Sequence, residues 1–229
     1  RFAGLAPIPP LGGEEAFAEL DRAIESLGLK GVVIRSQVSG LPLDSKELWP
    51  FFKKVSTLNV PVFVHPSGVQ MGFDILNTPY ALDRTVGREL DLMVAIIRMV
   101  FSGVLDEFPK LNLVFAHKGG GIAALKERID HSLGCPGAIP GTRNRMPFER
   151  YLEKMYFDLA GHHGGMNSLK CALTCMKPAQ LLFGTDYPQE FNGDPLQIKT
   201  YIENIRNLEL NHESKDLMLG VNAKKILNL

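Results

Sequence analysis

The chain has 229 residues, with Lys+Arg 25 against Asp+Glu 25, and this balance excludes the basic footprint of a nucleic-acid binder or an anionic-membrane protein. Its longest apolar helical stretch, residues 92–105, is interrupted by Arg98 and is too short to span a bilayer, so no membrane partner is expected. Three cysteines, Cys135, Cys171 and Cys175, form no CxxC pair; a reducing compartment, the cytoplasm, is expected.

In chain order, residues 1–8 read as a strand already under way, and Pro7, Pro9, Pro10, Gly12 and Gly13 make the loop that follows. Ala16, Leu20, Ala23, Ile24 and Leu27 mark one face of a helix that Gly28 stops, and residues 31–34 form the next strand. Asp44 or Ser45 is placed to cap a helix through Leu48, Trp49, Phe52 and Val55, closed by Asn59. Val60-Pro61-Val62-Phe63-Val64-His65-Pro66 is then a short buried strand bounded by prolines, with a histidine at its C-terminal tip. The segment between Pro66 and Asp83, residues 67–82, is too long for a simple connector and predicts a lid over whatever His65 faces.

A long helix over residues 85–105 leads to a second apolar strand, residues 111–116, ending in His117 and Lys118-Gly119-Gly120-Gly121. A helix at 121–133, an irregular stretch at 134–147, a short helix at 148–154 and a strand at 155–160 come next, then the turn Gly161-His162-His163-Gly164-Gly165. A helix at 167–176 precedes a third tip of the same design, residues 181–185 followed by Asp186, and two helices close the chain. Six strands alternating mostly with helices predict an α/β fold with a parallel sheet, either doubly wound or a (β/α) barrel. The barrel is preferred because polar candidates end three separate strands and no glycine-rich phosphate loop follows the first.

Two histidines and an aspartate at strand tips form a nitrogen and oxygen donor set suited to zinc or another divalent transition ion. A lone strand-end histidine is more often simply hydrogen-bonded to backbone; three such tips together reverse that preference. His117 is the candidate for acid/base work, with Gly119 to Gly121 allowing close approach. His162 and His163 stand as candidate substrate contacts against the alternative of a solvated turn, and Arg143 and Arg145 as candidate anion contacts against the alternative of surface charge. Asp158 can orient a neighbour or bond to backbone, while Cys171 and Cys175, His131 and His212 are read as structural.

His65-Pro66, His117-Lys118-Gly119-Gly120, Phe183-Gly184-Thr185-Asp186-Tyr187-Pro188 and Asn222-Ala223-Lys224-Lys225-Ile226-Leu227 together resemble the amidohydrolase superfamily, in the branch of aminocarboxymuconate semialdehyde and γ-resorcylate decarboxylases. The resemblance covers nearly the whole chain, residues 1–229 as one domain. It implies a distorted (β/α)8 barrel of the TIM type, with one divalent metal, zinc first and manganese as the alternative, at the C-terminal face, His65 and Asp186 as ligands, and His117 and Asp186 in catalysis. It further implies non-oxidative decarboxylation of a small aromatic or muconate-like carboxylic acid, and a homodimer as the assembly. A hydrolase of a lactone, ester or amide, a hydratase, or a catalytically silent homologue are the alternatives. The family's first strand ends in a His-x-His or Glu-x-His pair that this sequence does not contain, so the expectation is a barrel lacking its first strand. His162 and His163 are adjacent, and neighbours in a strand face opposite ways, so they do not replace that pair.

Overall fold

The computed structural model describes residues 2–229, apart from the side chain of His162. Five short strands, β1 (Val32–Arg35), β4 (Val62–His65), β5 (Leu113–Phe115), β6 (Tyr156–Asp158) and β7 (Leu181–Leu182), form one parallel sheet in the order β1-β4-β5-β6-β7. Each strand is laid down beside the one before it. Winding without reversal is the order of a (β/α) barrel, whereas a doubly wound sheet reverses at its middle. Between β1 and β4 lies a small hairpin, β2 (Gln37–Val38) and β3 (Leu41–Pro42), whose turn residues Ser39 and Gly40 both have positive φ, 52° and 79°. That pair suits a two-residue turn.

The strand expected near residue 2 is reduced to one parallel bridge, Ala6 to Val32, at the β1 edge. Register then carries across the sheet: Val32 lies opposite Val62, Arg35 opposite His65, and Val62 opposite Leu113. Apolar residues cover both faces, since β5 is buried at every position and the helices Trp49–Leu58 and Arg88–Phe101 bury Phe51, Phe52, Val55 and Leu92, Ala95, Ile96, Met99, Val100. A strand with both faces covered reads as an unbroken apolar run. No helix among the described residues is long and apolar enough to cross a membrane.

Several boundaries differ from expectation for identifiable reasons. The long helix stops at Phe101 because Gly103 takes φ 83°, and a separate short helix, Val104–Glu107, follows. Ser45 makes no side-chain cap, while Asp44 instead accepts from Arg98 Nε at 2.7 Å. Asn59 does end its helix, in the left-handed conformation with φ 52°.

Residues 66–83 contain one helical turn, Phe73–Leu76, and are tied down by a buried carboxylate. Asp91, in the first turn of the Arg88–Phe101 helix, accepts hydrogen bonds from Ser36 Oγ, from Gln37 Nε2 at 2.6 Å and from the Met71 N–H at 3.1 Å. Ser36 Oγ in turn accepts from the Ser67 N–H at 2.8 Å. One side chain thus joins the end of β1, the segment after β4 and a helix. Replacing Asp91 by Ala leaves those donors unsatisfied and is expected to cost about 3 kcal/mol. The check is a lowered urea midpoint together with faster proteolysis within residues 66–72; unchanged values would show that the tether carries no stability.

Candidate metal centre

In β4 the alternating pattern buries Val62 and Val64 and turns Phe63 and His65 to the other side, so His65 leaves the sheet half-buried at its C-terminal end. After β5 the chain turns abruptly. His117, Lys118, Gly119, Gly120 and Gly121 all have positive φ, 53°, 57°, 69°, 66° and 79°. Glycine takes that conformation freely, but His117 and Lys118 each do so at a cost of about 1–2 kcal/mol. Local hydrogen bonds offset the cost: Asp158 Oδ1 accepts from the His117 N–H at 2.9 Å and from the Ala160 N–H at 3.0 Å, and Lys118 Nζ donates to Ala160 O at 2.7 Å. Asp158 therefore holds His117 through its main chain. Asp186, beyond β7, also has positive φ, 51°, and stays half-buried.

These three tips bring His65, His117 and Asp186 together, with one candidate ligand atom from each lying within 4.8 Å of the others. The two imidazoles meet edge to face at 6.1 Å between centroids. Two imidazoles and a carboxylate at that spacing fit one divalent ion of the zinc or manganese type.

The two histidines are poised oppositely. Burial lowers the His65 pKa, Arg35 and His117 add to that, and the Pro66 carbonyl and Asp186 oppose it without prevailing. For His117, burial also pushes downward, but a 2.8 Å contact from Nδ1 to Glu89 Oε1, with the charges of Glu89 and Asp158, holds its pKa above the ordinary value. Desolvation raises the Asp158 carboxyl against the stabilising His117 and Ala160 contacts, and lowers the Lys118 ammonium. A cavity of about 410 Å³ opens beside His117, Glu89 and Met93, and one of about 610 Å³ beside His65, Arg35 and Gln189.

His163 and Arg143 are engaged elsewhere. His163 is exposed and fastens its own loop: Nδ1 accepts from the Phe191 N–H at 2.9 Å, its N–H donates to Glu190 Oε2 at 3.1 Å, and its ring meets the Phe191 ring at 6.0 Å. The side chain of His162 lies outside the described residues. Arg143 is exposed, and its N–H donates to Phe101 O at 2.8 Å, at the far end of the helix whose first turn carries Glu89. Twelve residues of helix put that end about 18 Å from the His117 end. Sequence reasoning did not single out Glu89 or Arg35. Glu89 has no signal beyond an acid in a helix's first turn, whereas Arg35 ends an apolar strand in the same way as His65.

The amidohydrolase family model matches residues 1–229, and the chain belongs to that family. Over 229 residues it is 33% identical to the 2-amino-3-carboxymuconate-6-semialdehyde decarboxylase of Dictyostelium discoideum, covering 100% of this chain and 62% of that protein. It is 27% identical over 198 residues to the gamma-resorcylate decarboxylase of Polaromonas sp. JS666, covering 83% of this chain and 61% of that protein. The chain thus spans less than two thirds of the length of these curated relatives. A crystal structure of a dihydroxybenzoic acid decarboxylase from Polaromonas sp. JS666, with bound manganese and the inhibitor 2-nitroresorcinol, superposes with a TM-score of 0.86 at 25% identity, covering 100% of this chain and 70% of that one.

The glycine run supplies a test of how His117 is placed. A Cβ on Gly120 would lie 2.0 Å from Glu89 O, whereas one on Gly121 would meet nothing within 4 Å, although their φ values are alike. Gly121→Ala is expected to cost about 1 kcal/mol from conformation alone, and Gly120→Ala about 3 kcal/mol more because helix and turn must separate. Equal losses in the two melting curves would show that the close approach is not a constraint.

Proposed function

We propose that the chain carries out metal-dependent, non-oxidative decarboxylation of a small aromatic or muconate-like carboxylic acid. The observation that carries this reading is the convergence of His65, His117 and Asp186 at the C-terminal end of the sheet, beside a cavity that holds the Arg35 cation. The names of the relatives support the same chemistry, and the manganese in the Polaromonas structure supports a divalent ion here, zinc or manganese.

In this reading His65 and Asp186 hold the ion, which when bound supplies positive charge that orients an anionic substrate and steadies developing negative charge. His117 is the proton donor. Its contact with Glu89 fixes the ring by Nδ1 and favours the charged imidazole. The bond to the departing carboxylate breaks, its electron pair stays on carbon, and the proton from His117 forms the new C–H bond; Asp186 assists the proton movement. The three cysteines without a CxxC pair support a cytoplasmic location. Exposed Val69, Met71, Ile75 and Tyr80 on the segment after β4 support a homodimer.

The test combines product and metal analysis. Carbon dioxide release from a panel of hydroxybenzoates is expected, and acid release from lactones or esters instead would replace the lyase by a hydrolase. His117→Ala is expected to lower turnover by at least about 10²-fold with metal largely retained, and Asp186→Ala to lose both. Equal metal loss in the two variants would make His117 a ligand and end its assignment as the proton donor.

A further inference from the structure

Arg35 ends β1 directly opposite His65 in the sheet register, and its side chain is exposed to the 610 Å³ cavity that His65 also lines. Its Nη1 stands 2.8 Å from Nδ1 of His65 and 3.1 Å from Pro66 O, while Nδ1 itself stands 3.1 Å from Pro66 O. A guanidinium nitrogen only donates, and a carbonyl oxygen only accepts. The single ring atom Nδ1 therefore faces one partner of each kind. Carrying a proton it satisfies Pro66 O and opposes Arg35; lacking one it accepts from Arg35.

Ligation of a metal by His65 resolves this competition against Arg35 whichever ring nitrogen is used. If Nε2 is the ligand, its lone pair goes to the ion, the ring proton sits on Nδ1, and that N–H is held by a backbone carbonyl in the manner usual for metal-bound histidine. Arg35 then faces a donor with a donor. If Nδ1 is the ligand, the ion and Arg35 compete for one lone pair. In both cases a fixed monocation also lies beside a dication, which Coulomb repulsion disfavours.

We propose that Arg35 competes with the metal ion for His65 and that its released guanidinium turns into the adjoining cavity to hold the substrate carboxylate. Among the described residues lining that cavity, Arg35 is the one with a permanently charged side chain; the others are apolar or neutral polar apart from His65. Its planar fork matches a carboxylate in two parallel hydrogen bonds. The second half of the proposal rests on the decarboxylase reading, whereas the first half stands on the His65 geometry alone. Metal and carboxylate should then favour each other's binding, since each provides for one side of the exchange.

Chelator-competition titrations with zinc alone, and with zinc plus 2-hydroxybenzoate as the probe anion, test both halves on the wild-type protein and on Arg35→Met and Arg35→Gln. The exposed position of Arg35 makes these variants compatible with folding, and circular dichroism checks that they are folded. Without the anion, Arg35→Met is expected to bind zinc about tenfold more tightly than wild type, the worth of one charge-assisted hydrogen bond, with Arg35→Gln in between. Unchanged or weaker zinc binding in both variants would overturn the competition. With the anion, wild type is expected to gain several-fold in zinc affinity and the variants nothing; an equal gain in all three would overturn the carboxylate role. Tighter zinc binding in Arg35→Met alongside a protein that releases carbon dioxide from no acid would sustain the competition and remove the decarboxylase reading.

Discussion

A single carboxylate, that of Asp158 at the end of β6, determines where the chemistry of this molecule can sit. It accepts from the main chain of His117 on the neighbouring strand tip and of Ala160 on its own, so two loops share one anchor. Without that anchor there would be little to keep His117 and Lys118 in a left-handed conformation that side chains disfavour. The three glycines that follow remove the same penalty from the rest of the turn, and Gly120 lets the backbone of the Arg88–Phe101 helix come down onto it. The imidazole is thereby aimed by main-chain geometry before any side-chain contact is made.

Around that anchor the charges are close to balanced. Glu89 and Asp158 lie against His117 and Lys118. In a partly desolvated setting such pairing is what allows several ionisable groups to be crowded together, because an isolated charge there would be costly. The parallel sheet adds the other requirement. Strands wound in sequence order all end on the same side, so residues more than a hundred positions apart, His65 and Asp186, arrive at one place without any local motif joining them.

Much of this was legible in the sequence because it rests on short-range rules. Apolar strands that stop at His65, His117 and Asp186 announce their tips, and the alternation with helices announces a parallel sheet. The parts that were not legible depend on contacts across the fold. Nothing near Glu89 in sequence indicates that it meets a ring twenty-eight residues later, and Asp91 looks like any acid at a helix start until Ser36, Gln37 and Met71 converge on it. Arg143 looks suited to an anion, but its loop is fastened to the opposite end of a long helix. The hairpin at Ser39-Gly40 escaped because two-residue strands carry almost no periodicity.

Glu89 and Asp91 occupy the same helical turn yet serve different neighbours, the one a histidine at the tip of β5 and the other the segment behind β4. Two steps along a helix rotate the side chain by about 200°, so the pair necessarily projects to opposite sides. Substitution at either site disturbs one of the two attachments and leaves the other in place. An inserted or deleted residue at this turn would instead rotate one side chain by about 100° relative to the other and break at least one of the two attachments. The start of this helix is therefore a place where the gene can tolerate a change of letter far better than a change of length.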